Sequence, residues 1–477
     1  MWRAISVYRS MQGRTTLSII ILLCTMGTAM SSDNDVTIPS WDDVPQLVAA
    51  IAVPDIPARS FSVEQFGAVG DGDADDRPAI MAALAHAAAV GGGRVLLSGG
   101  RTWYSKGPLH LYSNIELHIA EGAVLRFSSD PNDYLPQVLT RWEGTEVFNY
   151  SPFIYAYQAS NVALTGSGTI DGNATDTFGT WRAQQNPGKQ RLRQMGAEQV
   201  PVFSRVFGDG DYLRPSMIQF FACSQVLIED VSVVDSPFWV VHLVASKDVT
   251  VRGIRVDSRR LNNDGVDIES TSNVLIENSH FQTGDDSIVI KAGRDNDGRR
   301  LARPSERIVI RNNFMQGHNA LAIGSEMSAG VRHVFMENNQ LGAVHSPLYI
   351  KSSTERGGIV EHIHIRNITV ESSINPLIRL IMNYQRQTKG NHIPIFRHIT
   401  MENIVAEQVA DLFEFSGHEQ EPLRHIHIRN VQVGATATVD DQVLSAGLVI
   451  DTAASHMRDS TIENISVGGK ALPIVLE

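Results

Sequence analysis

Cysteine is almost missing from this chain: of 477 residues only Cys24 and Cys223 are cysteine. Cys24 falls inside an N-terminal apolar run, so once that run is set aside no intrachain disulfide is available. The fold must then rest on burial and backbone hydrogen bonds. Positive charge is also short, with 40 Lys and Arg against 52 Asp and Glu and a net charge of -12. Such a balance excludes a nucleic-acid partner, whose phosphates demand a basic surface. It still leaves room for an acidic sugar in a locally basic cleft. Disorder is excluded too, because 43% of the residues are apolar and 19% charged, enough to bury a large core.

Long apolar runs are equally scarce. Residues 17–26 are mostly apolar and uncharged, but a bilayer span needs roughly 20 residues. Arg3, Arg9 and Arg14 precede this run, and Gly27, Thr28, Ala29 and Ser31 follow it. It therefore reads as a cleavable export signal, with a retained membrane anchor as the alternative. Leu23 stands where a lipoprotein signal would place a small residue, which argues against lipidation of Cys24. The expected organisation is a signal peptide over residues 1–30, an N-terminal extension over 31–60 and one catalytic domain over 61–477. The expected product is a periplasmic or extracellular monomer with no stable membrane association after cleavage.

A short phrase recurs along the chain: apolar, any residue, apolar, then a charged or small residue and often Asn. It occurs at Val226–Asp230, Val249–Gly253, Val274–Asn278, Ile308–Asn312, Val334–Asn338, Ile363–Asn367, Ile399–Asn403, Ile426–Asn430 and Thr461–Asn464. From Val226 to Ile426 the starting points lie 23 to 36 residues apart. Alternation with period two makes each copy a strand with one face turned inward. No single copy has partners enough to bury that face, but stacked copies enclose a continuous core. Uneven spacing means a constant strand with loops of varying length, and extra loop length costs little free energy. One strand phrase per unit, followed by a second apolar pair such as Val231 and Val233, excludes propeller blades. The expected fold is all-β, a right-handed parallel β-helix whose repeated Asn positions form an internal ladder at the turns. Asp75-Asp76-Arg77-Pro78 opens an Ala-rich segment to Val90 that carries helix-start signals, with Gly91-Gly92-Gly93 after it. A helix there would cap the first coil and hide its unpaired edge.

The chemistry-bearing residues fall between 262 and 357. Asn262-Asn263-Asp264-Gly265 is followed by Gly284-Asp285-Asp286, then Gly317-His318, then Ile350-Lys351. Asp264 to Asp285 is 21 residues, Asp286 to His318 is 32 and His318 to Lys351 is 33. Each interval is about one coil, so the segments should converge on one wall, separated by roughly 4.8 Å per layer. Asp-Asp and Asn-Asp-Gly are also ordinary turn residues; their joint occurrence at coil spacing is what favours function. Crowded carboxylates repel, so one should stay protonated near neutral pH while another is ionised. Glycoside hydrolysis needs that asymmetry. His318, Lys291 and Lys351 can orient the site and bind an acidic substrate. Trp142, Phe238 and Trp239 are candidates to stack on sugar faces, with the core as their alternative place.

These segments resemble the polygalacturonases of glycoside hydrolase family 28, over about Phe61 to Ser372 and more faintly beyond. The family's Asn-Thr-Asp reads Asn262-Asn263-Asp264 here, its Asp-Asp pair is Asp285-Asp286, and its Gly-His-Gly is Gly317-His318-Asn319. The resemblance implies a pectin-lyase-like solenoid, Asp285 as general acid, Asp264 and Asp286 holding and deprotonating water, and His318 supporting the acid. It implies inversion at the anomeric carbon, an acidic polysaccharide substrate, and neither metal nor cofactor. The stretches Lys291–Arg300 and Ile323–Ser328 look like bacterial members regarded as exo-acting.

One departure bears on substrate. The family's Arg-Ile-Lys reads Tyr349-Ile350-Lys351, and Tyr349 cannot make the bidentate contact an Arg makes with a sugar carboxylate. Compensation is expected from Arg294, Arg299, Arg300, Arg303 or Arg356, or else the adjoining sugar is neutral or modified, as in a rhamnogalacturonan. Two other classes remain open at this point. One is a calcium-dependent pectate lyase in which Asp264, Asp285 and Asp286 ligate metal; the other is a noncatalytic sugar-binding β-helix.

Overall fold

A computed structural model describes residues 40–436, 449–450 and 457–474. The expected signal segment, with Cys24, lies outside the described residues. Each coil supplies three short strands, as in Val241–Val244, Lys247–Arg252 and Arg255–Ser258, and each strand pairs in parallel with its equivalent in the next coil. The coil winds right-handed, the sense that parallel strand connections take.

The recurring phrase stacks as its alternation requires. Val226, Val249, Val274, Ile308, Val334, Ile363, Ile399 and Ile426 form one continuous register. All eight are fully buried, each contributing about 1.5–3 kcal/mol of apolar burial as an upper figure. The last copy is displaced by one residue, since Thr461 pairs with His427 rather than Ile426. The repeat also begins earlier than its phrase suggests, with Val162 opposite both Ile115 and Val226.

The asparagine ladder exists but is external. Asn338, Asn367, Asn403, Asn430 and Asn464 have φ of 55–57°, a left-handed backbone that Asn tolerates. Each side-chain amide from Asn367 onward donates to the preceding Asn at 2.7–3.2 Å, at exposed positions. The inward-facing amides are their neighbours, Asn313 and Asn339, bonded at 3.0 Å in a buried place.

A second ladder fixes which coil meets which. Glu229, Arg252, Glu277, Arg311, Glu337, Arg366, Glu402, Arg429 and Glu463 stand opposite one another in sequence, alternating in charge. A slip of one coil would set like charges face to face.

The first coil is capped as the sequence suggests, by helix α1 (Arg77–Ala89), which buries Ile80, Ala83, Leu84 and Ala87. Asp76 tightens the turn before it, its carboxylate accepting the N–H groups of Val69 at 2.6 Å and Gly70 at 3.1 Å. Upstream, Trp41–Asp43 and Val44–Ala49 are helical. They cover Leu275, Val309 and Phe335, outward apolar residues of three successive coils.

Candidate active site

One strand column carries the site. Val266–Glu269, Ile288–Lys291, Phe314–Ile323 and Gln340–Lys351 lie in successive coils. Alternation turns Ile268, Ile290 and Ile350 into the core and leaves Asp267, Lys291, Tyr349 and Lys351 on the outer side. The carboxylates sit in the turns entering these strands. Gly265 N–H donates to the Asp286 carbonyl at 2.9 Å and Ser287 N–H to the Asn319 carbonyl at 2.7 Å. Close packing demands glycine here: a Cβ on Gly265 would meet the Ser287 carbonyl at 2.4 Å, and one on Gly317 the Thr283 carbonyl at 2.1 Å.

This register refines the spacing argument. Asp264 lies beside Asp286 rather than Asp285, and Asp286 faces Asn319 rather than His318. Asn319 donates its amide N–H to Asp286 Oδ1 at 2.6 Å. His318 sits one residue earlier, its Nδ1 3.8 Å from Asp285 Oδ1. His345, not Lys351, is the residue of the next coil opposite His318, with ring centroids 4.4 Å apart and the planes tilted by 50°.

The two adjacent aspartates differ in their surroundings. Lys351 Nζ lies 3.1 Å from Asp286 Oδ2 and 3.3 Å from Oδ1. Burial works to raise the Asp286 carboxyl, but Lys351, Lys291 and the Asn319 amide outweigh it and hold it below the usual range. Asp285 has no such ion pair; it accepts the Asn262 N–H at 3.2 Å. Burial and the neighbouring Asp286 charge push its carboxyl up. Deeper in, Lys291 Nζ lies 3.7 Å from Asp264, 3.6 Å from Asp267 and 3.7 Å from Glu326. One ammonium cannot neutralise three carboxylates. Burial raises Asp264 and Asp267 well above the ordinary carboxylate range, helped by the charges of Asp267 and Asp285 on the first and of Asp286 and Glu269 on the second, whereas Lys291, Arg294 and Arg356 hold Glu326 low despite its burial. Oxygens of Asp264, Asp285 and Asp286 lie within 4.8 Å of one another, the separation a shared cation would use. Lys291 and Lys351 already supply two ammonium charges to that place, and calcium would want 6–8 oxygens.

These carboxylates open onto a cavity of about 240 Å³. Lys291, Lys351 and Arg356 line it; His318, Tyr349 and Arg294 do not. Arg294 lies behind the wall, donating to Glu326 Oε1 at 2.9 Å. Tyr349 is 8% exposed, its ring covered by Arg379 at 4.2 Å and Lys351 at 4.9 Å. Arg299 is spent on the Arg356 carbonyl at 2.9 Å, Arg300 on Glu146 at 2.6 Å and Arg303 on the Ser246 carbonyl at 3.1 Å. Trp142, Phe238 and Trp239 form a buried parallel stack at 5.4 and 5.1 Å. Of the three only Trp239 lines the cavity, with Lys291 Nζ over its ring 4.6 Å from the centroid.

Sequence reasoning missed four further residues of the cavity lining. Glu143, Arg182, Lys189 and Arg193 line the cavity, and the last three belong to the segment between Asp171 and Ile218. That segment was detectable as a break in the period: Ile154 pairs with Ile218, 64 residues on, whereas Val241 pairs with Val266 after 25.

A parallel β-helix with two adjacent carboxyls, one drawn up and one held down, in a cation-lined cavity suits a glycoside hydrolase. Residues 139–444 match the model of "Glycosyl hydrolases family 28", and the chain belongs to that family. Its structure resembles that of a hyperthermoactive exopolygalacturonase from Thermotoga maritima, at 34% identity and a TM-score of 0.82, over 90% of this chain and 96% of that one. It is also 28% identical to a probable polygalacturonase of Vitis vinifera, covering 87% of this chain and 85% of the relative. An exo-poly-alpha-D-galacturonosidase of Dickeya chrysanthemi is 24% identical over 94% of this chain and 78% of its own length.

Proposed function

We propose that this chain hydrolyses the α-glycosidic bonds of galacturonic-acid-containing pectic polysaccharide, acting from a chain end with inversion. The observation that carries the reading is the split between two adjacent carboxyls, Asp285 drawn up and Asp286 held down, inside a cavity rich in Lys and Arg. Asp285 protonates the glycosidic oxygen as its bond to the anomeric carbon breaks. Asp286 takes a proton from the attacking water, which Asp264 helps to orient. His318, its Nδ1 3.8 Å from Asp285 Oδ1, supports the ionisation state that the acid needs. Lys291, Lys351 and Arg356 give the cavity its attraction for sugar carboxylates, and Arg294 acts behind them through Glu326.

Exo action is supported by the long insertion before Ile218, whose Arg182, Lys189 and Arg193 line the cavity and add charge to it. Residues 1–30 are assigned to export, to the periplasm or the exterior, as a monomer free of the membrane. N-terminal sequencing of the mature protein tests the cleavage.

The activity test is incubation with polygalacturonate and with rhamnogalacturonan, each with and without chelator. Saturated monomer released from polygalacturonate despite chelator, with the opposite anomer appearing first by NMR, supports the proposal. Unsaturated, ultraviolet-absorbing products would replace it with a lyase, and release from rhamnogalacturonan alone would replace the substrate. No release from either would favour binding without catalysis.

A further inference from the structure

Six cations line the cavity: Arg182, Lys189, Arg193, Lys291, Lys351 and Arg356. Five are already committed to carboxylates of the protein. Lys189 and Arg193 hold Glu143 at 2.9 and 2.8 Å. Lys291 serves Asp264, Asp267 and Glu326, Lys351 holds Asp286 at 3.1 Å, and Arg356 holds Asp295 at 3.0 Å. Among the described residues, Arg182 alone of the six forms no ion pair. It is exposed, yet its base is fixed: it lies in the short 3-10 helix Phe178–Ala183, whose Phe178 and Trp181 are buried in the main core. An arginine with an anchored base and a free guanidinium loses little freedom when it binds an anion.

Its location fits a substrate contact. Arg214 lies close enough that Arg182 helps burial draw it down to about 10, and Arg214 in turn donates to Asn262 Oδ1 at 2.7 Å. Asn262 also lines the cavity, and its backbone N–H contacts Asp285. Arg182 thus lines the same cavity as Asp285 and as Asn262, whose backbone N–H donates to that acid. Tyr349 occupies the position where the family motif has an arginine, and it is buried away from the cavity.

We propose that Arg182 is a specificity-determining residue that binds the carboxylate of the sugar next to the scissile bond, in place of the arginine missing at position 349. This assignment rests on the reading of the substrate as a galacturonate chain. The fork supplies two parallel N–H donors to one carboxylate, and the other cavity cations set the background potential.

Steady-state kinetics of Arg182→Gln, Arg182→Lys and Arg182→Glu on a defined oligogalacturonate test it. Arg182→Gln should raise KM about 10- to 100-fold, the range of one charged hydrogen-bonded contact, with kcat within about threefold. Arg182→Lys should recover part of the loss and Arg182→Glu should deepen it. A KM within about twofold of the parent for Arg182→Gln overturns the proposal, as does an Arg182→Lys no better than Arg182→Gln. A loss confined to kcat with a lowered melting temperature would mark Arg182 as merely structural, and also overturns it. If the unaltered enzyme releases nothing from oligogalacturonate, the substrate reading itself falls and this assignment falls with it.

Discussion

Lys351 Nζ lies 3.1 Å from a carboxylate oxygen of Asp286, and the preceding residue, Asp285, has the His318 ring at 3.8 Å as its nearest cationic partner. Two adjacent carboxyls are thereby shifted in opposite directions: burial and the Asp286 charge draw Asp285 up, while Lys351, Lys291 and the Asn319 amide hold Asp286 down. The pair is split through fold geometry, since Lys351 and Asp286 are brought together by strands two coils apart.

Asp285→Asn should abolish nearly all turnover, by about 100-fold or more, because an amide keeps the shape but has no proton to give. Melting temperature should hold or rise slightly, since the substitution relieves repulsion with Asp286. Activity above one tenth of the parent would remove Asp285 from the role of acid.

The pH profile of kcat/KM follows from the two directions. In its proposed role as acid Asp285 must be protonated, and it is drawn up, so activity should fall as pH rises through its raised value. Asp286 must be ionised and is held down, so activity falls as pH drops through its lowered value. Lys351→Met should move the acid-side limb to higher pH, because burial would then raise Asp286 unopposed. A profile that loses height without shifting would show that Lys351 acts on substrate alone.

The strand column was legible in sequence because its inward residues are β-branched and periodic; the eight stacked Val and Ile positions were each identified. The triad was legible because Asp264, Asp285 and Asp286 recur at coil spacing, although spacing alone could not tell that Asp264 neighbours Asp286. Such a register is set by which backbone N–H meets which carbonyl, and one residue of offset leaves the motif unchanged. Arg182, Lys189 and Arg193 were not legible, since an insertion has no period and its side chains meet the site only after the chain has folded back. The asparagine ladder was read correctly as a repeat and placed on the wrong side, because a left-handed backbone at Asn338 and its equivalents turns the side chain outward.

Tyr349→Arg is the direct test of the motif departure. The side chain is buried between Arg379 and Lys351, so a guanidinium there would bring a third positive charge into one place. We expect lower melting temperature and no gain in kcat/KM on polygalacturonate. A gain of tenfold or more would show that the position reaches substrate and that Tyr349 sets the specificity.

The alternating ladder makes the last prediction. Glu337 stands between Arg311 and Arg366 and accepts two bonds from the latter, at 2.9 and 2.7 Å. Neutral Glu337→Gln should cost little, about 0.5–1 kcal/mol, because the pair is partly solvated. Glu337→Lys should cost more, since it sets three like charges in consecutive coils. Adding Arg366→Glu to Glu337→Lys rebuilds one opposed pair there but places two acids, at 366 and 402, against each other. Recovery should therefore be partial, and adding Glu402→Arg should complete most of it only if Arg429 is also reversed. Melting temperatures of the series, ordered in that way, would establish the ladder as a register device; equal losses for Glu337→Gln and Glu337→Lys would reduce it to surface decoration.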